Sequence, residues 1–197
     1  PHGENRMPYT IRKQDTITTQ YGVFWGETIP YFPRPRNVGT QQLTSWAYPT
    51  EPKQYPGHPE LALEIIDSMC EQGFDVAHSK YYKEGQSITH AVQFVTARIL
   101  GGKQVPVLPV IQNTYFPPNQ PTVKRCYNFR QSIGRAIANW NGENANKKVA
   151  VCASGGISHF VVDEDFDNRM IDAMKKNDTK TIFAEPENMF RSGTSET

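Results

Sequence analysis

Short apolar runs that suit β-strands alternate with amphipathic helical segments along most of the chain, and this alternation limits the possible folds more than any other feature. Apolar residues repeat at helical spacing in some segments, whereas others are short and rich in Val, Ile and aromatic residues. Helices are predicted at 59–72, 88–100, 122–140 and 163–176, and strands at 21–25, 74–77, 105–111, 148–152 and 181–184. This order predicts an α/β fold, in a single domain with a central mixed β-sheet flanked by helices.

Start and stop signals sharpen several of these boundaries. Pro59 suits the first turn of a helix, His58 before it suits the cap, and Gly73 suits the end. Asp163 is the expected cap of the last long helix, with Phe166, Met170, Ile171 and Met174 facing inward. The two prolines within 105–111 indicate an edge or bulged strand, and residues 30–59 are expected to form a long loop.

The composition is that of an ordinary globular domain, with 37% hydrophobic and 21% charged residues. A formal net charge of +1 gives no field that would favour nucleic acid, and no apolar run approaches the length of a membrane span. Cys70, Cys126 and Cys152 form no CxxC pair, which argues against a disulfide framework and for a reducing, cytoplasmic compartment. Because no Met precedes Pro1 and Thr197 follows an apparent helix start, we expect residues 1–197 to be one domain that is incomplete at both termini.

The segment AVCASGGISHF at 150–160 carries the sharpest chemical signal. A predicted strand runs into Ser154-Gly155-Gly156 and then presents His159. Ligands of open α/β sheets collect at the carboxyl ends of strands, glycines allow close backbone approach, and histidine can move a proton near neutral pH. The alternative is a tight strand-to-helix turn with a surface histidine. A phosphate-binding loop is not indicated, because both the GxxxxGK[ST] and the GxGxxG spacings are absent.

Other candidate residues are weaker when each is taken alone. His90 lies at a predicted helix start, where a histidine is more often a cap or a surface residue. The stretch NTYFPPNQP at 113–121, which includes Tyr115, could form a rigid wall for a flat aromatic ligand or simply a structural loop. Glu196 fits a helix-capping device, and His2 is a residue near the chain end.

Taken in order, five segments resemble one family. They are YPGHPELALEIIDSMCEQGFDVA, ITHAVQFV, VPVLPVIQNTYFPPNQPTVKRCYNFRQSIGRAI, VAVCASGGISHFVVDEDFDNRM and RSGTSE. The sequence and order of these segments are similar to those of class III extradiol ring-cleavage dioxygenases. The greatest similarity is to the catalytic subunits of protocatechuate 4,5-dioxygenase, gallate and methylgallate dioxygenases. The resemblance covers roughly residues 54–197, and the first fifty residues match poorly.

The resemblance implies a non-haem Fe(II) enzyme that opens a catechol-type ring with O2. Its metal ligands, two histidines and a glutamate, imply His2 and Glu196 here, while the first histidine has no counterpart in this sequence. It further implies that His159 takes a proton from a substrate hydroxyl and that His90 acts as an acid or contacts oxygen. The implied substrate-binding residues lie in the Gly-Gly loop and the Pro-rich turn: Gly155, Gly156, Ser158 and Tyr115. The implied partners are a small aromatic diol and O2, with a homo-oligomer or a small accessory subunit possible.

Two other functions stay open from the residues. A zinc metallohydrolase would use similar ligand types, but the chain has no HExxH spacing. A non-catalytic binding protein could share the fold, because fold does not fix function. A carboxylated catechol would also need a cation near the ring, and Lys124, Arg125 and Arg130 follow the Pro-rich turn, where solvated side chains are the simpler expectation.

Overall fold

The computed structural model describes residues 20–31, 51–82, 89–113, 119–140, 147–158 and 161–190. Its strands are β1 (Tyr21–Phe24), β2 (Thr28–Tyr31), β3 (Lys53–Pro56), β4 (Val76–Ser79) and β5 (Val110–Gln112). Its helices are α1 (Pro59–Glu71), α2 (His90–Phe94, continuing as a π-helical turn over Val95–Ile99), α3 (Val123–Asn139), α4 (Glu164–Lys176) and α5 (Thr179–Ala184), followed by a 3-10 turn at Glu187–Phe190.

The main sheet is mixed, as the alternation of elements predicted. Its strand order is β4-β1-β5, with β1 parallel to β4 and antiparallel to β5. In this register Val23 of β1 lies opposite His78 of β4 and opposite Val110 of β5. β2 and β3 form a separate antiparallel pair.

Helix α1 forms where the sequence predicts it because both of its ends carry strong local signals. His58 is the N-cap, and its Nδ1 accepts a hydrogen bond from the backbone N of Leu61 at 3.3 Å. Pro59 occupies the first turn, and Gly73, at φ 78°, follows the last turn. Its buried positions recur every three to four residues: Leu61, Ala62, Ile65, Ile66 and Met69.

The two faces of the main sheet are covered by different elements. Tyr21 and Val23 point to one face, where they pack against α1, and the ring of Tyr21 also stacks on Phe129 of α3 with centroids 4.0 Å apart. Phe24 points to the opposite face and packs with Ile29 and Tyr55 of the small β-pair. The sheet is therefore a central layer, since side chains alternate between its faces.

Several predicted strands are wrong. Residues 148–152 form no strand, and Val151 is 71% exposed, because an apolar run becomes a strand only when another strand pairs with it. Residues 181–184 belong to helix α5, which Asp178 caps by accepting a hydrogen bond from the backbone N of Thr181 at 3.1 Å. Of the predicted strand 105–111, only the part from Val110 onward is a strand, and it lies at the sheet edge as its prolines suggested.

Other differences concern the bounds of predicted elements and two strands, β2 and β3, that were not predicted. The strand expected at 74–77 lies at Val76–Ser79, and the long loop expected at 30–59 contains β3 and the end of β2. Helix α4 has the predicted cap, but Met174 is 52% exposed and Ile171 is also exposed, so only Phe166 and Met170 of the four expected residues face the core. The longest described helix, α3, has 17 residues, and no helix in the described part of the chain has the length and hydropathy of a membrane span.

Candidate active site

The Gly-rich loop at 154–158 lies against the first turn of α2. Ser154 Oγ donates a hydrogen bond to the backbone oxygen of Ala91 at 3.0 Å, across 63 residues of sequence. Ala91 directly follows His90, the first residue of α2, and Thr89 is the N-cap of this helix. The structure therefore brings the segment that leads to His159 next to the helix start that carries His90.

The other end of this loop is attached to helix α4. Ser158 Oγ donates to Asp167 Oδ2 at 2.8 Å and accepts from the backbone N of Asp163 at 3.2 Å. Ile157 packs against the buried cluster that contains Phe166. The residue immediately before His159 is thus fixed by two hydrogen bonds, and the loop is held at both ends by different helices.

The start of α2 lies at the carboxyl end of β1. Phe24, the last residue of β1, is buried with Val92 of the first turn of α2 and with Tyr82 beyond β4 packed against it. β1 and β4 are parallel, so their carboxyl ends share one edge of the sheet. In α/β folds this edge is where ligands bind.

The Pro-rich turn begins at the opposite end of the sheet, because β5 runs antiparallel to β1 and ends beside Tyr21. Asn113 directly follows β5, is 7% exposed, and donates a hydrogen bond through its backbone N to Gln20 O at 2.8 Å. Its side-chain Nδ2 donates to Asn119 Oδ1 at 2.9 Å, which closes the base of the Pro-rich turn. Tyr115 within this turn lies outside the described residues.

The remaining predicted site residues divide into two groups. Gly155 is exposed and Gly156 is half-buried, and a Cβ added at Gly156 would lie 3.1 Å from Ser158 O, which leaves little space for a larger residue. His2, His159 and Glu196 fall outside the described ranges. The catalytic and metal-binding roles expected for them stay predictions.

Hydrogen-bond donors and acceptors that anchor the loop were missed by the sequence reasoning. Ser154, Asp163 and Asp167 were not expected to contribute to the site, although Asp163 was predicted as a cap. Ser-Gly-Gly before a histidine is the only local signal for Ser154, and nothing local indicates that it reaches Ala91.

Of the three basic residues considered for substrate recognition, Arg125 and Arg130 have other partners and Lys124 is exposed. The guanidinium of Arg125 donates to Gly73 O at 2.8 Å and lies 3.9 Å from the centroid of the Phe74 ring. Arg130 lies over Tyr127, which is on the same helix, at 4.9 Å. These contacts give Arg125 a structural role between α3 and the end of α1.

A metal site is not assembled within the ranges that the structure describes. No three His, Cys, Asp or Glu side chains there are close enough together to hold a metal ion. The two ligands implied by the resemblance, His2 and Glu196, lie outside those ranges, so the assignment of iron rests on the resemblance alone.

The sequence matches one known protein family. The family described as the catalytic LigB subunit of aromatic ring-opening dioxygenase matches residues 31–192. The match covers most of the chain, and the chain belongs to this family. It includes His90 and the loop up to His159, while His2 and Glu196 lie beyond its limits.

Three individual relatives are 27–31% identical to this chain over the aligned residues. The chain is 27% identical over 139 residues to a 2,3-dihydroxyphenylpropionate/2,3-dihydroxicinnamic acid 1,2-dioxygenase of Burkholderia vietnamiensis, over 71% of this chain and 40% of the relative. It is 27% identical over 100 residues to the enzyme of that name from Azotobacter vinelandii, over 51% of this chain and 29% of the relative. The counterpart from Cupriavidus necator is 31% identical over 104 residues, over 53% of this chain and 30% of the relative. The chain therefore spans less than half the length of these curated relatives.

Proposed function

We propose that this chain carries the proton-transfer part of the active site of an extradiol dioxygenase that opens a catechol-type ring with O2. The observation that supports this function best is the 3.0 Å hydrogen bond from Ser154 Oγ to Ala91 O, which holds the Gly-rich loop against the start of α2. The chain belongs to a family described as the catalytic LigB subunit of aromatic ring-opening dioxygenase, and we therefore interpret this contact as part of a dioxygenase active site.

In this proposal, His159 is the base and His90 is the acid. A neutral imidazole can take a proton from a substrate hydroxyl near neutral pH, and a second histidine can return a proton to oxygen. Gly155 and Gly156 would line the substrate. Tyr115 was expected to line it as well, but the turn that contains it begins at the amino end of β1, the opposite end of the sheet from this loop. Ser158 Oγ already donates to Asp167 and accepts from the backbone N of Asp163, so its first role is to fix the peptide before His159.

We further propose Fe(II) as the cofactor, with His2 and Glu196 among its ligands. Two histidines and a carboxylate are the ligand set of many non-haem Fe(II) oxygenases. A bound divalent ion would lower the pKa of the substrate hydroxyls, which makes proton transfer to a histidine easier.

The proposed substrate is a catechol that bears a carboxylate. Protocatechuate and gallate, suggested by the resemblance, share this feature with the 2,3-dihydroxyphenylpropionate and dihydroxycinnamic acid in the names of the relatives. We place the protein in the cytoplasm, since all three cysteines are free thiols. A second copy or a small accessory subunit is the proposed partner.

The test is oxygen uptake by protein purified without oxygen and reloaded with Fe(II). The substrates are protocatechuate, gallate, 2,3-dihydroxyphenylpropionate and plain catechol. We expect uptake with at least one carboxylated compound and a yellow ring-opened product. His159→Gln should reduce kcat by at least ~100-fold while iron content is kept, the usual size of a general-base effect. Glu196→Ala should lose iron.

The matched control is His58→Asn, because asparagine keeps a capping acceptor for α1 while another histidine is removed. Its kcat should equal that of the wild type. Unchanged turnover in His159→Gln would remove His159 from the mechanism. Iron-loaded protein that consumes no oxygen with any substrate would favour a non-catalytic binding protein on the same fold.

A further inference from the structure

A cation and two aromatic rings lie where β1 and β4 end. Trp25 follows β1, while Lys80 and Tyr81 follow β4. The two segments stay side by side beyond the strands, because the backbone N of Trp25 donates to Ser79 O at 2.9 Å. This is the carboxyl edge of the parallel pair, where ligands of α/β sheets bind.

The Lys80 ammonium is held by rings rather than by a carboxylate. Its Nζ lies 5.1 Å from the centroid of the Trp25 ring and 5.5 Å from that of Tyr81. Within the described part of the chain no acidic side chain forms an ion pair with it. Ring faces attract a cation but do not use up its three N–H donors, so the ammonium keeps its capacity to bind an anion.

Hydrogen bonds and close packing hold the segments that carry this cation and its two rings. Trp25 Nε1 donates to His78 Nδ1 at 3.2 Å, which orients the indole. Ser79 is fully buried, and its Oγ donates to Tyr81 O at 2.8 Å, which shapes the turn after β4. The backbone oxygen of Lys80 lies so near Gly26 that an added Cβ there would come within 2.2 Å of it.

The same edge carries the proposed active site. Phe24 and Tyr82, the chain neighbours of Trp25 and Tyr81, pack together with ring centroids 4.6 Å apart. Val92 of the first turn of α2 joins them in one cluster. The Lys80 cluster (Trp25, His78, Lys80 and Tyr81) is therefore attached to the α2 start that binds the Gly-rich loop.

We propose that Lys80, held against Trp25 and Tyr81, binds the carboxylate of the aromatic substrate and so selects carboxylated catechols over neutral ones. This inference rests on the proposed function for its ligand class. It also assigns to Lys80 the carboxylate-binding role that was considered for the cations on α3, because Arg125 is already bound to Gly73 O and to the Phe74 ring.

The experiment measures binding without turnover. Dissociation constants of protocatechuate and of plain catechol are determined by calorimetry under nitrogen for the Fe(II)-loaded wild type and for Lys80→Met. A charge-assisted hydrogen bond corresponds to roughly a tenfold or larger effect. We expect Lys80→Met to weaken protocatechuate binding by about that factor and to leave catechol binding unchanged, while Lys80→Arg restores part of the preference.

Lys180→Met, which removes an exposed lysine from α5, is the matched control and should change neither constant. Circular dichroism verifies that each variant is folded. Equal loss for both ligands in Lys80→Met, no loss for either, or a wild type that does not prefer protocatechuate would overturn the assignment of Lys80. A wild type that prefers protocatechuate through Lys80 but consumes no oxygen would keep this inference and refute the proposed catalysis.

Discussion

Gly26 is a position where adding a single methyl group has a clearly defined consequence. A Cβ at this residue would lie 2.2 Å from Lys80 O and 2.5 Å from Phe24 Cζ, both far inside van der Waals contact. The oxygen belongs to the backbone, and moving it would disturb the 2.9 Å hydrogen bond between Trp25 N and Ser79 O. Gly26→Ala should therefore separate the carboxyl ends of β1 and β4, at a cost of ~1–3 kcal/mol that is typical of overpacking.

The matched control lies in helix α3. A Cβ added at Gly134 would have no atom within 4 Å, and this residue is in the interior of a helix, where alanine is favoured over glycine by ~1 kcal/mol. Gly134→Ala should therefore stabilise the protein. The same chemical change is thus expected to have opposite signs at the two positions.

Equilibrium urea unfolding followed by circular dichroism measures both variants. With a slope of ~2 kcal/mol per M, a loss of ~2 kcal/mol lowers the midpoint by ~1 M for Gly26→Ala, whereas Gly134→Ala raises it by ~0.5 M. A Gly26→Ala midpoint at or above that of the wild type would refute the close approach of these backbones. The argument would also fail if both variants moved in the same direction.

Two further predictions concern a helix cap and a thiol. Asp163 Oδ1 accepts a hydrogen bond from Phe166 N at 2.9 Å, so Asp163→Ala should cost ~1 kcal/mol in urea unfolding, and Asp163→Asn should recover most of it; equal losses would contradict a capping role. Burial raises the pKa of the Cys126 thiol from 9.0 to about 11. The buried, protonated thiol therefore stabilises the fold fully below about pH 9, and this stabilisation is lost as the pH rises through 11. At pH 8.5, iodoacetamide should therefore modify the exposed Cys70 and Cys152 well before Cys126, as followed by peptide mass spectrometry; similar rates for all three would show that Cys126 is not protected.

The long helices could be predicted because their signals are local. Pro59 and Gly73 mark the ends of α1, and Asp163 caps α4 through atoms only three residues apart. The strands could not be predicted as well, since a strand needs a partner that may be distant in sequence. The apolar run at 148–152 has strand composition but no partner strand within the described ranges, and 181–184 is helical because Asp178 caps it.

The candidate site shows the same division. The Gly-rich loop and His90 were predicted from sequence motifs, and the family match agrees with the family resemblance of those motifs. The Ser154–Ala91 hydrogen bond and the Lys80–Trp25 contact were not predicted, because they join segments 63 and 55 residues apart.

The sequence by itself determined the approximate boundaries of the long helices, the α/β class and the family, since caps, helical periodicity and ordered motifs depend on residues close together in the chain. Only the tertiary structure decided which residues meet at the carboxyl edge of β1 and β4. That edge forms by parallel pairing of strands about fifty residues apart, with Tyr21 opposite Val76 and Phe24 opposite Ser79. The position of Lys80 over Trp25 follows from this pairing and from the close contact at Gly26, and neither is visible in the local sequence.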